Sequence, residues 1–281
     1  MKPATVPCRG SLSHVLSILA PIVCAWSLLG SGSATAESVD SELLLLVDVS
    51  NGGLKKGEFN RLMSGYADAL TSDAVLDSIA SGRTGKIAVS LSFYGVKDSG
   101  SSAGVGWMAI SNRVEAEAFA SKLRSVAEPK GGNYSYQDAL VQGLTSIGDE
   151  VGGLDNGFSS ALQIIEVGGS TKPKGNSDDV AAASLAALGR GVDVINATVV
   201  GKKADQLESF YADNVIGGSV GGMSALVSVS AVDEGLSSIL SSQINRSVGA
   251  AGIAAVPEPS SAMLLVSSLG FLLIFARRRP A

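Results

Sequence analysis

Glu42-Leu43-Leu44-Leu45-Leu46-Val47-Asp48-Val49 runs directly into Ser50-Asn51-Gly52, and this stretch decides the fold. A continuous apolar run of this length, closed by turn residues, fits a parallel strand covered on both faces. In open α/β sheets ligands gather at the carboxyl ends of strands. Asp48 and Ser50 therefore hold a position with functional meaning from topology alone.

Working outward, strand and helix patterns alternate. Phe59, Leu62, Tyr66 and Leu70 mark one face of a helix. Residues 86–94 and 105–110 are expected strands, joined as a hairpin around the Gly/Ser-rich segment 98–104. Phe119, Leu123 and Val126 predict a helix, and Leu140, Leu144 and Ile147 another. Further strands are expected over 161–167 and 192–200, separated by a helix carrying Ala181, Leu185 and Leu188. A last helix carries Leu236, Ile239, Leu240 and Ile244. This order implies an α/β domain over residues 41–248 with a doubly wound, mostly parallel, Rossmann-like sheet. Residues 249–256 are expected to be a small-residue linker.

The two ends carry routing signals. Lys2 and Arg9 precede an apolar stretch over 14–29, and Ala34-Thr35-Ala36 fits small-x-small cleavage before Glu37. Residues 1–36 are therefore expected to be a signal peptide. At the other end Pro257-Glu258-Pro259 is followed by an uncharged stretch over 260–276 and then Arg277-Arg278-Arg279. At about 1.5 Å per helical residue that stretch spans roughly 25 Å, slightly short of a hydrocarbon core of about 30 Å. The arginines favour the cytoplasmic face. The tail over 257–281 resembles the PEP-CTERM sorting signal of exported proteins in Gram-negative bacteria that possess an exosortase. The resemblance implies an exosortase-type sorting enzyme as partner and a transmembrane helix over 260–276. The body would then lie outside the cytoplasm, anchored or released to the cell surface or matrix after processing.

Composition removes whole classes of chemistry. Cys8, Cys24 and His14 all fall within 1–36, so the body has neither thiol nor imidazole. Disulfides, cysteine nucleophiles, Cys/His zinc sites and Ser-His-Asp arrangements are excluded there. Outside the flanks stand sixteen basic and twenty-five acidic residues, a net charge of −9. That balance argues against nucleic acid or anionic lipid as a partner. The glycines at 152–153 and 217–222 lack a phosphate-loop pattern and are turn punctuation. Asp178-Asp179, Asp233-Glu234 and Glu115 with Glu117 lie at helix starts or on polar faces, where acids favour the helix dipole.

Beyond Val47-Asp48-Val49-Ser50, a series of fragments completes the picture. They are Gly65-Tyr66-Ala67-Asp68-Ala69-Leu70, Gly85-Lys86-Ile87-Ala88-Val89, Val105-Gly106-Trp107, Ile164-Ile165-Glu166-Val167, Val194-Ile195-Asn196 and Tyr211-Ala212-Asp213-Asn214-Val215-Ile216-Gly217-Gly218. In order and spacing the chain resembles a von Willebrand factor A-like domain, in particular the bacterial domain-of-unknown-function 1194 family. The resemblance implies a metal-ion-dependent adhesion site, where Mg²⁺ is held by an Asp-x-Ser-x-Ser strand end, a threonine and a second aspartate. Asp48 and Ser50 match that pattern. Gly52 stands for the second serine, Tyr134 for the threonine and Ser170 for the aspartate.

Mg²⁺ requires a compact octahedron of hard oxygens and dehydrates reluctantly, so one carboxylate and one hydroxyl predict no tightly bound metal and no cofactor. Asp48 is instead expected to accept loop N–H groups or cap a helix. Lys172 or Lys174 is a candidate for neutralising it. The leading expectation is a non-enzymatic binding or adhesion module acting on another protein or an extracellular polymer through the carboxyl-edge loops. The alternatives are a Mg²⁺-dependent receptor with a remodelled site and an envelope polysaccharide hydrolase working through paired carboxylates.

Overall fold

The computed structural model describes residues 36–230 and 235–254. The chain opens with β1 (Glu37–Ser38), β2 (Ser41–Asp48), α1 (Lys56–Leu70), α2 (Asp73–Ala80), β3 (Ile87–Val96) and β4 (Gly100–Ile110). Next come α3 (Arg113–Ser125), α4 (Tyr136–Ile147), a 3-10 turn (Asp149–Val151), β5 (Phe158–Ser159), β6 (Gln163–Gly169) and α5 (Ser177–Gly189). It closes with β7 (Val194–Val200), α6 (Ala204–Asn214), β8 (Gly217–Val220), β9 (Met223–Ser224), β10 (Val227–Ser230) and α7 (Leu236–Ala254).

The central sheet runs β4-β3-β2-β6-β7, and β7 is shared by two further strands. β8 pairs antiparallel with its first residues, and β10 pairs parallel with its last four. The ladders joining β3, β2, β6 and β7 are all parallel, while β4 is antiparallel to β3. β1 and β5 form a separate short parallel pair.

Strand periodicity explains the apolar run at the centre. Successive side chains point to opposite faces, so Leu43, Leu45 and Val47 pack under α1, α2, α3 and α7. Leu44 and Leu46 pack under α4, α5 and α6. Every residue of β2 is buried, as a strand with helices on both faces demands.

Several expected boundaries move. The hairpin turn is tighter than residues 98–104, because β4 already pairs Gly100 with Val96 and Ser101 with Tyr94. The ladder tolerates this through register shifts between Val89 and Leu91, Leu91 and Ser92, and Tyr94 and Val96, which also bend the edge strand. The strand expected over 161–167 lies two residues later. The helix α5 buries Val180, Ala183, Ser184 and Ala187, while Leu185 is 68% exposed, so its expected apolar face was misjudged. Nearly every residue there is small and apolar, and no stripe stands out to set the phase. α7 continues through residues 249–254, where a linker was expected. The glycines at 221–222, both with positive φ, turn β8 into β9, as punctuation should.

Among the described residues no helix is long and apolar enough to cross a membrane. Ala34, Asp233-Glu234, Pro257-Glu258-Pro259, the 260–276 stretch and Arg277-Arg278-Arg279 lie outside the described residues.

Candidate functional site

β2 delivers Asp48 to the carboxyl edge of the sheet, with Tyr94 of β3 as its neighbour in register. Asp48 is completely buried. Its Oδ1 accepts the Ser50 N–H at 2.8 Å, the side-chain turn that Asp favours at a strand end. The chain then folds back, with the Gly53 N–H donating to the Ser50 carbonyl at 2.8 Å. Gly52 sits at the apex with φ +86°, a conformation costly for L side chains, so the turn itself explains why no serine stands there. Gly95 brings β3 against this loop: a Cβ there would lie 2.6 Å from Cβ of Ser50.

The loops around Asp48 are tied to one another. The Asn51 N–H donates to the Gly132 carbonyl at 2.9 Å, and the Gly132 N–H to Gly95 at 2.5 Å. The Lys97 N–H donates to Lys130 at 2.7 Å, and the Tyr136 N–H to Lys174 at 3.2 Å. Four separate segments thus form one cross-linked rim. Lys55, Lys97, Lys130, Lys172 and Lys174 project from its loops, Lys202 and Lys203 from the loop after β7, and all are exposed.

Beneath the rim the carboxyl meets phenols. Tyr94, Tyr136 and Tyr211 are fully buried on the same face of the sheet. The Tyr94 and Tyr136 rings stand edge to face with centroids 6.1 Å apart. Tyr136 Oη lies 3.3 Å from Ser184 Oγ, and Tyr211 Oη donates to the Thr171 carbonyl at 2.8 Å. Gly169 leaves room for that hydroxyl: a Cβ there would fall 2.7 Å from Tyr211 Oη and 3.6 Å from Cβ of Asp48. Among the described residues neither Asp48 Oδ2 nor Tyr94 Oη makes a hydrogen bond of good geometry. Burial pushes the Asp48 pKa up, against the pull of Ser50 and the nearby Tyr94 hydroxyl. Burial, reinforced by the Asp48 charge, raises Tyr94 and Tyr211 well above the usual phenol range.

Asp48 and Ser50 are adjacent, as expected, and Asp48 does accept a loop N–H. Ser170 is half-buried at the end of β6, and Tyr134 is half-buried in the loop before α4. Of the two lysines that were candidates for neutralising Asp48, Lys172 makes another contact. Lys172 Nζ lies over the Phe210 ring, 4.7 Å from its centroid, a cation–π arrangement at an exposed site. The phenols at Tyr94, Tyr136 and Tyr211 were missed. Tyr211 opens the 211–218 fragment and Tyr136 lies two residues from Tyr134, but nothing in the spacing tells a core tyrosine from a loop one.

These residues do not fit a divalent cation. Both Asp48 oxygens are enclosed, Gly52 offers no ligand, and the neighbouring hydroxyls are neutral phenols that carry no charge to offset Mg²⁺. Among the described residues no group of three His, Cys, Asp or Glu side chains could hold a metal.

Two of the carboxylates weighed for hydrolysis, Glu115 and Asp179, take capping positions. Glu115 accepts the Ser111 N–H at 2.7 Å, and Asn176 Nδ2 donates to Asp179 at 2.6 Å. At the opposite edge of the sheet burial, with the Glu150 charge adding to it, raises the Glu42 pKa. Glu42 is completely buried and accepts hydrogen bonds from Asn156 and Ser160, so it faces no cleft.

Solved structures share this architecture at low identity. The pilus adhesin SpaC from Lactobacillus rhamnosus GG matches with TM-score 0.50 and 12% identity, over 76% of this chain and 30% of that one. Proximal thread matrix protein 1 from the mussel byssus matches with TM-score 0.47 and 14% identity, over 74% and 48%. A von Willebrand factor type A protein from Catenulispora acidiphila matches with TM-score 0.47 and 11% identity, over 75% and 43%. The chain thus spans less than half the length of each of these. No curated protein matches the sequence. Fold and strand order define an α/β domain built on a mostly parallel sheet. The family model described as protein of unknown function DUF1194 matches residues 38–234, and the chain belongs to that family.

Proposed function

We propose that this protein is a non-enzymatic binding or adhesion module that works without a metal ion. Its working surface is the rim of loops over residues 49–55, 97–99, 126–135, 170–176 and 201–203. The observation that carries this reading is the cross-linked rim above a closed Asp48 corner. The Asn51–Gly132, Gly132–Gly95, Lys97–Lys130 and Tyr136–Lys174 hydrogen bonds hold the first four of these loops as one platform. Loops fixed by a rigid scaffold are where binding residues concentrate. A platform ordered before contact loses little conformational freedom on binding. Fold likeness alone would not support a function; the support is the rim's geometry together with a site chemistry that offers neither nucleophile nor metal cage.

The tail over 257–281 would route this body out of the cytoplasm through an exosortase-type enzyme, and the partner would be a protein or extracellular polymer at the cell surface or matrix. Cells expressing a chain that retains residues 1–40 and 249–281 but lacks the body test the proposal. Surface or matrix attachment should fall to the level of cells without the gene. Attachment equal to that of cells with the intact chain would contradict it.

A further inference from the structure

On the opposite face of the sheet lies a second buried carboxyl that the binding rim does not use. Glu166 of β6 is 1% exposed and has no cation beside it among the described residues. Thr198 Oγ1 of β7 donates to Oε1 at 2.7 Å. Gln243 Nε2 of α7 donates to Oε1 at 2.9 Å and to Oε2 at 2.7 Å. Gln243 Oε1 in turn accepts from Ser228 Oγ of β10. One turn further along α7, Ser247 Oγ accepts from Asn196 Nδ2 at 2.9 Å, and Asn196 Oδ1 accepts the Leu226 N–H at 3.0 Å. This polar seam runs beside the apolar seat of the helix, formed by Leu236, Leu240, Ile244 and Val248.

The surroundings of Glu166 supply no compensating charge. β2 places Leu45 beside it in register, β7 presents Asn196 and Thr198, and β10 presents Ser228. From α1 the facing titratable group is Tyr66, held neutral by burial and by the charge of Glu166. Arg246 of α7 points to the exposed side, with Nη2 3.4 Å from the Ser224 carbonyl.

We propose that Glu166 is a proton-controlled fastener of α7, which seats the helix on the sheet as the neutral acid and loosens it once the proton is lost. A buried anion without a cation is costly even with several donors. The neutral acid keeps the same contacts, because the Thr198 hydroxyl can accept as readily as it donates. Burial pushes the Glu166 pKa up to about 8, which sets the release in mildly alkaline solution. Release stays local because α7 is one peripheral helix while β6 is paired on both sides. α7 also leads covalently into residues 255–281, so the fastener lies at the root of that segment.

Two measurements on the full-length chain test this. The first follows the Glu166 carboxyl carbon by NMR from pH 3 to 10. The second follows backbone amide exchange over pH 6 to 10, corrected for intrinsic rates, in the wild type and in Glu166→Gln. The carboxyl should titrate near pH 8. Protection of α7 amides in the wild type should fall about tenfold per pH unit from pH 6 to about 8, one proton being released per opening, and level off above that point. β2 and β6 should stay protected, and Glu166→Gln should hold α7 protection flat. A carboxyl titrating near 4 to 5 would overturn the proposal whether or not the variant folds. So would a carboxyl titrating near 8 with α7 protection unchanged, or an equal loss of protection in Glu166→Gln.

Discussion

Asp48 and Glu166 are both fully buried carboxyls, carried on paired parallel strands, yet they are treated in opposite ways. Glu166 receives three side-chain hydrogen bonds from two elements and is stitched to a helix. Asp48 receives one backbone N–H, keeps a bare oxygen, and faces phenols whose own hydroxyls are partly unpaired. The first pocket is a finished polar network. The second is a strand-end carboxylate held by a single backbone donor. Its position in the sheet gives it a structural part: the Asp48–Ser50 turn shapes the loop that supports the rim.

The contrast can be broken in order of expected effect. Glu166 holds its proton up to about pH 8 when folded, against an unfolded value of 4.5. Its contribution to stability is therefore complete below pH 4.5 and is lost as pH rises to about 8, at up to about 1.4 kcal/mol per pH unit. Urea unfolding across that window should show the decline in the wild type, and Glu166→Gln should flatten most of it. Next, Gln243→Leu removes one half of the α7 seam and leaves Glu166 short of donors. At pH 6 it should cost about 1–3 kcal/mol, read as a lower urea midpoint with unchanged slope.

Smaller effects belong to the other pocket. Asp48→Asn can keep the Ser50 turn through its amide oxygen while the new NH₂ faces the orphaned Tyr94 Oη. Thermal unfolding at pH 7 should show stability kept or raised, by about 1 kcal/mol. Tyr94→Phe deletes an unpaired hydroxyl and should shift stability by less than about 0.5 kcal/mol. A large loss from Tyr94→Phe would mean that the phenol pairs with Asp48 after all.

The sequence carried the sheet because burial on both faces leaves an uninterrupted apolar run, as in Leu43 to Val47, and few other arrangements do. It carried α1 and α7 through Phe59, Leu62, Tyr66, Leu236 and Leu240, whose spacing matches one helix face. It did not carry the phase of α5, where alanines give no stripe, nor α6, whose buried side chains are few. The short strands β8 to β10 were also missed, being too brief for alternation to register. At the site, the resemblance pointed to Asp48 and Ser50, with Gly52, Tyr134 and Ser170 at the positions that depart from its pattern. The phenols around Asp48 were not, since Tyr94 comes from β3, Tyr136 from α4 and Tyr211 from α6, and only the fold brings them to one carboxyl. Charge misled in part: the net −9 of the body conceals that seven lysines stand exposed on the rim loops and the loop after β7.

The direct test of a closed, metal-free Asp48 corner is calorimetric titration of the full-length chain with Mg²⁺ and Mn²⁺ at millimolar concentration, run beside Asp48→Asn. The expected result is no saturable heat in either protein and no metal-dependent rise in Tm. Saturable heat in the wild type that Asp48→Asn abolishes would contradict the account.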